Sequence, residues 1–382
     1  MATNTVLINV VSVIIVCVVV FYPVNVTSDD TVPIPQQKSQ VESWFKANVQ
    51  PLASRKDLDP ALTKAEAAAV HIGVGKGGKF KTIQEAVNSI PKKNTKRYII
   101  NIAGGTYKER VKVDYDKPFV TFYGDPKSRP LVDAAGTAAQ FGTIESATVQ
   151  VLSDYFMAVN IDFKNSAPRP SGKPGQQAVA LTIAGDKAAF YNCKFYGFQD
   201  TLCDNINKHF YKDCYVEGTV DFFFGSAKTI ILSTEMHVIP GDTMDYVTAH
   251  ARKSEKEDTG YSFVQCRVTG DAKSRVAYLG RIWYPFAKTV FSYSDISAAI
   301  RPEGWLGIHN SRTDGASAYL GEYKNTGPGS DMSKRIKFVK KLTDAEAKKY
   351  LTLSYIEASK WLLPPITKAV QDNSTHFRSR SN

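Results

Sequence analysis

Metal-ligand spacings are missing from this 382-residue chain: no Cys-x-x-Cys and no His-x-x-x-His occurs, so no zinc or other metal site is expected. A Gly-x-Ser-x-Gly elbow is also absent, which argues against an ordinary serine esterase. Cysteine is scarce. Cys17 lies in an apolar leader, leaving Cys193, Cys203, Cys214 and Cys266, too few for a disulfide-stapled scaffold but compatible with one or two bridges in an oxidising compartment. Spacing does not say which would pair. Beyond residues 6–21, no apolar run is long enough to span a bilayer. Gly73-x-Gly75-x-x-Gly78 fits a dinucleotide fingerprint only formally, because no clear strand precedes it and no acidic residue lies at the required distance beyond it. It reads as a turn before a helix. Phe80 follows Lys79 where a phosphate-binding loop needs Ser or Thr, so no cofactor is assigned.

Hydrophobic residues make up 43% of the chain and charged residues 22%, an ordinary globular balance. The formal net charge of +11 suits a polyanionic partner through long-range attraction, or simply a soluble basic surface. Its Lys and Arg residues are scattered, with no recognition helix or RNP-like aromatic pattern, which argues against nucleic acid. Residues 6–21, followed by Tyr22-Pro23 and then Ser28-Asp29-Asp30, resemble a secretory signal cleaved near Ser28. No Lys or Arg precedes the run, so an uncleaved N-terminal anchor is the alternative. The leading expectation is a secreted chain without a membrane contact after cleavage, for which an acidic polysaccharide is the better polyanion.

Residues 29–70 read as a helix-prone lead-in, too short to bury a core of its own. Ile83, Ala86, Val87 and Ile90 recur at helical spacing and predict one amphipathic helix over 80–90, an end cap for a repetitive β structure. From about 97 to 296 the pattern changes to short strand-like runs at 98–102, 120–123, 148–152, 179–183, 229–232, 262–268 and 290–293. No long helix divides them, leaving a sandwich, barrel, propeller or β-helix. Thr343-Asp-Ala-Glu346 is a capping box that opens a helix over 345–351. A disordered tail is expected over 366–382, with a glycosylation sequon at Asn373.

An internal repeat selects among these folds. Asn192-Cys-Lys-Phe-Tyr-Gly-Phe-Gln-Asp200 aligns without gaps on Asp213-Cys-Tyr-Val-Glu-Gly-Thr-Val-Asp221, an offset of 21 residues, and Cys266-Arg-Val-Thr-Gly270 is a fainter echo. That length suits one coil of a parallel β-helix, whose equivalent residues stack ~4.8 Å apart. The expected fold is an all-β, right-handed parallel β-helix over 71–365, with a capping helix and peripheral short helices. Stacking would bring the carboxyls of Asp200 and Asp221 face to face. Two such groups cannot both ionise cheaply, so one serves as acid while the other serves as base or nucleophile. An aspartate ladder that merely caps turns is the plainer alternative.

Gln199 precedes Asp200, and the Asp221 segment continues as the aromatic run Phe222-Phe-Phe-Gly225. Together with Gly105-Thr-Tyr-Lys-Glu109, Gln177-Ala-Val-Ala-Leu181, Tyr196-Gly-Phe-Gln-Asp-Thr-Leu202 and Leu279-Gly-Arg-Ile-Trp283, this resembles, in order, the signature blocks of plant pectin methylesterases. The resemblance covers roughly residues 71–365, in a short form without the inhibitor-like pro-region. It implies Asp221 as nucleophile on the methyl-ester carbonyl of galacturonate and Asp200 as the acid for departing methanol. It further implies Gln177 and Gln199 as oxyanion donors, with Arg281 orienting Asp221 and contacting substrate. Trp283 becomes a platform for a sugar ring, and Thr143 and Trp305 become substrate contacts, with core packing as the alternative for Trp305. The implied partners are methyl-esterified pectin in the cell wall and a proteinaceous inhibitor, with the enzyme a monomer.

Three positions depart from that pattern: Ile282 stands where many members have Pro, Phe223 replaces a usual Ile, and Thr234 occupies a position that in some members is a cysteine paired with the one matching Cys214. The first is expected to loosen its loop. Two rival functions stay open on the sequence alone, a β-helix polysaccharide depolymerase and a non-catalytic pectin-binding wall protein.

Overall fold

Apolar runs this short, interrupted by Gly, Asn, Asp and Lys, cannot sustain helices and instead form strands of three parallel sheets. The computed structural model describes residues 30–239, 244–270, 277–310, 314–315 and 317–367. The leader and the Asn373 sequon lie outside the described residues. Among the described residues one sheet has eleven strands and two have eight. The chain visits them in turn, from Ala188–Tyr191 in the eleven-stranded sheet to Lys194–Tyr196 in the second. It continues to Leu202–Asp204 in the third, then returns to Lys208–Lys212 in the first. Neighbours pair in parallel, Phe190 beside Tyr211, Phe195 beside Val216 and Leu202 beside Phe223, each one 21-residue coil apart. This is the expected parallel β-helix.

The expected strand at 262–268 is two strands, Gly260–Val264 and Arg267–Gly270, because Gln265 takes φ +57° and turns the chain. Equivalent left-handed residues recur on successive coils at Asn160, Asn192, Asp213, Ser233, Gln265, Tyr293 and Lys324. Asn and Asp tolerate this conformation because their short side chains hydrogen-bond locally. Asn192 donates to Asn160 Oδ1 at 2.8 Å, and Asn160 donates to the Gly124 carbonyl at 2.9 Å.

Beside this corner, Cys193, Cys214, Thr234, Cys266 and Ser294 occupy successive rungs, linked by backbone bonds such as Tyr215 N–H to Cys193 O and Arg267 N–H to Thr234 O. The four described cysteines are buried and none is bridged. Thr234 fits its rung by donating to the Leu232 carbonyl and accepting from the Cys214 N–H. Aromatic rings fill the interior coil by coil, with Phe190 stacked on Tyr211 at 4.7 Å and Phe163 on Phe195 at 5.3 Å. Each fully buried side chain of this kind contributes roughly 1.5–3 kcal/mol.

The lead-in supplies helices Val41–Asn48 and Pro60–Ala67, which lay Trp44, Phe45 and Leu62 on the outer face of the eleven-stranded sheet, Phe45 stacking on Phe210. Helix Ile83–Ser89, started by a Thr82–Glu85 capping box, buries Ile83, Ala86 and Val87 in the main core. It is narrower than expected because Phe80 instead bridges Val74. The strand Val70–Val74 contains Gly73, so a strand does lead into that glycine-rich turn. Near the C-terminus the capping box Thr343–Glu346 opens helix Asp344–Lys348, shorter than expected.

Coils after Asp221 are longer, and the excess lies in turns rather than strands. Between the third sheet and the eleven-stranded sheet, residues 205–207 and 226–227 make tight turns, while 251–259 and 283–287 make projecting loops. On the other side of the third sheet, residues 135–148 and 166–180 project from the earlier coils. Two coils with short turns, 197–201 and 219–222, therefore lie between projecting loops and form the floor of a cleft.

Candidate active site

Asp200 and Asp221 sit in those two short turns, just before strands Leu202–Asp204 and Phe223–Gly225. Both take left-handed backbone conformations, φ +63° and +51°, where Asp is among the few non-glycine residues tolerated. The turns stack through backbone bonds from Asp200 N–H to Val220 O at 2.9 Å and from Leu202 N–H to Phe222 O at 3.0 Å. One-coil spacing thus places the two carboxyls on neighbouring rungs of one ladder, as the repeat predicts. Both are nearly buried, at 8% and 4% exposure.

Their partners differ. Arg281, on strand Ala277–Ile282, donates to Asp221 through Nε at 2.9 Å and through a second, shorter bond from its terminal nitrogen. Bidentate pairing of this kind fixes geometry as well as charge. The guanidinium lies 4.9 Å from the ring centres of both Tyr246 and Trp283, held between two aromatic faces. Asp200 accepts no side-chain hydrogen bond from a described residue.

Burial raises the Asp200 carboxyl well above the usual range, and the charge of Asp221 raises it further against a weaker opposing pull from Arg281. Asp221 is also raised by burial, but its bonds to Arg281 and that charge pull it back. The two titrate as a pair, in which the bonds from Arg281 favour the charged form on Asp221 while burial and the neighbouring charge disfavour it on Asp200.

A cleft of about 760 Å³ opens over this pair, lined among others by Thr143, Gln177, Asp200, Asp221 and Trp283. Gln177 makes no side-chain hydrogen bond to a described residue, leaving its amide available. Gln199 is half-buried next to Asp200, and its carbonyl accepts from Ala178 N–H at 3.2 Å, tying the two glutamine segments together. Trp283 is 51% exposed.

Trp305 is a correction. It is fully buried, donates to Glu322 Oε1 at 3.0 Å and packs edge-on against Phe291 inside the solenoid, where no substrate reaches. Ile282 corrects a second expectation, being buried beside His250 at a strand end rather than loosening a loop.

Tyr246, Phe224, Ile206, Lys253 and Tyr284 also belong to the cleft or its supports and were missed from sequence. Tyr284, next to Trp283, and Phe224, in the aromatic run after Asp221, carried a local signal; placing the others required knowing how unequal coils align. No group of three or more His, Cys, Asp or Glu side chains that could hold a metal ion occurs among the described residues.

Comparisons with known proteins bear on the family and the fold. The family described as Pectinesterase matches residues 69–359. Pectinesterase 2 of Olea europaea is 54% identical over 353 residues, covering 91% of this chain and 95% of the relative. A pectinesterase of Parthenium hysterophorus shows the same identity and coverage. Among solved structures, the pectin methylesterase from carrot superposes with a TM-score of 0.68 at 30% identity, covering 79% of this chain and 97% of the carrot enzyme.

Proposed function

The chain belongs to the pectinesterase family, and from that premise we propose that it removes methyl esters from galacturonate units of pectin, with Asp221 as nucleophile and Asp200 as acid and base. The observation that carries the assignment of roles is the asymmetry of the pair: Arg281 holds Asp221 ionised and oriented, while Asp200, without a donor, retains the proton. An Asp221 oxygen attacks the ester carbonyl, the acyl–methoxy bond breaks, and Asp200 gives its proton to the departing oxygen, releasing methanol. Water then attacks the acyl-enzyme, Asp200 takes the proton back, and the galacturonate carboxylate leaves with Asp221 restored. Gln177 donates to the developing oxyanion from the cleft wall, with Gln199 as second donor. Trp283 offers a flat apolar face to a sugar ring, and Thr143 a polar contact.

No helix among the described residues is long and apolar enough to cross a membrane. The apolar leader and the basic balance of the chain support a secreted protein acting at the cell wall. The end cap formed by Ile83–Ser89 covers one open end of the solenoid, supporting a monomer. A proteinaceous inhibitor is proposed as a further partner. The one domain comprises 71–365, with 30–70 packed on its flank.

Methanol release from highly esterified pectin, followed together with viscosity, tests the reading. Methanol at constant polymer length, lost in Asp221→Asn, is the expected result. Falling viscosity without methanol would overturn it in favour of a depolymerase, and neither signal would favour a binding protein.

A further inference from the structure

The ion pair between Arg281 and Asp221 spans a rung of the third sheet. Asp221 precedes strand Phe223–Gly225, Arg281 lies on strand Ala277–Ile282, and strand Asp245–His250 runs between the two. Neighbouring parallel strands stand about 4.8 Å apart, so Arg281 reaches across roughly 10 Å to its partner. The geometry of that reach depends on what the middle coil places beside it, and the middle coil places Tyr246. This ring is 3% exposed, and the guanidinium carbon of Arg281 lies 4.9 Å from its centre. Trp283 offers the guanidinium a second aromatic face but is 51% exposed and open to substrate. Tyr246 is the buried face of the two.

Tyr246 is fixed from both sides of the ion pair. Its backbone N–H donates at 3.1 Å to the carbonyl of Thr219, in the same short turn as Asp221. Its ring stacks at 5.8 Å on Tyr278, its register partner on the strand of Arg281, and Val220 and Leu306 complete the cluster. Burial pushes the phenol up to about 12, against the pull of the Arg281 charge, so the ring is neutral and offers Arg281 an aromatic face rather than a rival anion. The hydroxyl is buried and has no hydrogen-bond partner among the described residues. What the residue gives the site is therefore its ring. A void in place of that ring would let the guanidinium tilt out of the carboxylate plane and lose one of its two bonds to Asp221.

We propose that Tyr246 is a positioning residue for the reaction: its ring holds the Arg281 guanidinium flat against Asp221, preserving both hydrogen bonds and with them the charged form of the nucleophile. This rests on the pectin esterase reading above. The test is the pH profile of methanol release for the wild-type chain, Tyr246→Leu and Tyr246→Phe. Tyr246→Leu is expected to lower kcat about ten-fold, the scale of a desolvated cation–aromatic contact, with KM little changed, and to move the acid limb to higher pH. Tyr246→Phe, which keeps the ring and drops the idle hydroxyl, should retain the wild-type rate and limb. In an Arg281→Gln background, Tyr246→Leu should shift the limb no further. Should the leucine variant fail to fold, Tyr246→Met fills the space without an aromatic face and reads the same contrast. An acid limb that stays in place without the ring, or a phenylalanine variant as impaired as the leucine one, overturns the proposal while leaving the esterase reading intact. A wild-type chain releasing no methanol overturns both.

Discussion

Asp200 and Asp204 lie four residues apart on one coil, both buried, and the molecule treats them in opposite ways. Asp204 lies at the end of its strand, fully inside the solenoid. Tyr211 donates to its Oδ1 at 2.9 Å, Thr229 donates to Oδ2, and His209 Nδ1 lies 2.6 Å from Oδ1, while His209 Nε2 meets the Gly185 carbonyl at 2.9 Å. Every direction around that carboxyl is filled. Asp200, in the turn before the same strand, has the Asp221 charge as a neighbour and the cleft above it. A satisfied carboxyl group locks a strand in place; an unsatisfied one keeps a proton available for chemistry.

Removing the two kinds of carboxyl should therefore carry opposite costs. Asp221→Asn should lower kcat for methanol release on the order of 10⁴-fold or more, the scale for losing a nucleophile, while the chain still folds. Asp204→Ala should do the reverse. By stranding the buried groups of His209, Tyr211 and Thr229 it should cost about 3–5 kcal/mol in denaturant unfolding, while the molecules that remain folded stay active. Equal effects of the two substitutions on turnover would break the distinction.

Smaller changes sharpen it. Gln177→Ala should reduce kcat roughly 10²–10³-fold, as for removal of one oxyanion donor. Arg281→Gln removes the group that pulls Asp221 down, so the acid limb of the pH–rate profile should move to higher pH. An acid limb that stays in place would mean that Asp221 does not titrate in it. Asp200→Asn should abolish methanol release yet stabilise the fold. The folded-state pKa of Asp200 is raised, so its ionisation costs stability only above the unfolded value, near pH 4. The gain, on the order of 2 °C in Tm, should therefore appear at pH 7 and disappear at pH 3 in calorimetry.

Much of this was legible in the residues. The 21-residue repeat reported both the coil length and the stacking of Asp200 on Asp221, because in a parallel β-helix equal spacing in sequence becomes adjacency in space. The strand at 98–102 is legible at its observed bounds, since a run rich in isoleucine ended by Ala103-Gly104-Gly105 has little freedom. Trp305 was not legible. Nothing near it in sequence indicates that Gly280, on the preceding coil, leaves room for its ring, so close that a Cβ on Gly280 would come within 3.0 Å of it. Lys253 was missed for a related reason: its loop breaks the repeat, and a broken repeat gives no register from which to place a side chain.

By itself, then, the sequence determined the parallel solenoid and the carboxyl pair, since both follow from a local period and the residue types that recur on it. Only the tertiary structure decided which polar groups work and which merely hold the fold. Arg281 reaches Asp221 across 60 residues, Asp204 meets its donors inside the barrel of strands, and Trp305 turns inward. Each outcome depends on how unequal coils stack and on which side of a sheet a turn releases its side chain, and neither is written in any one stretch of chain.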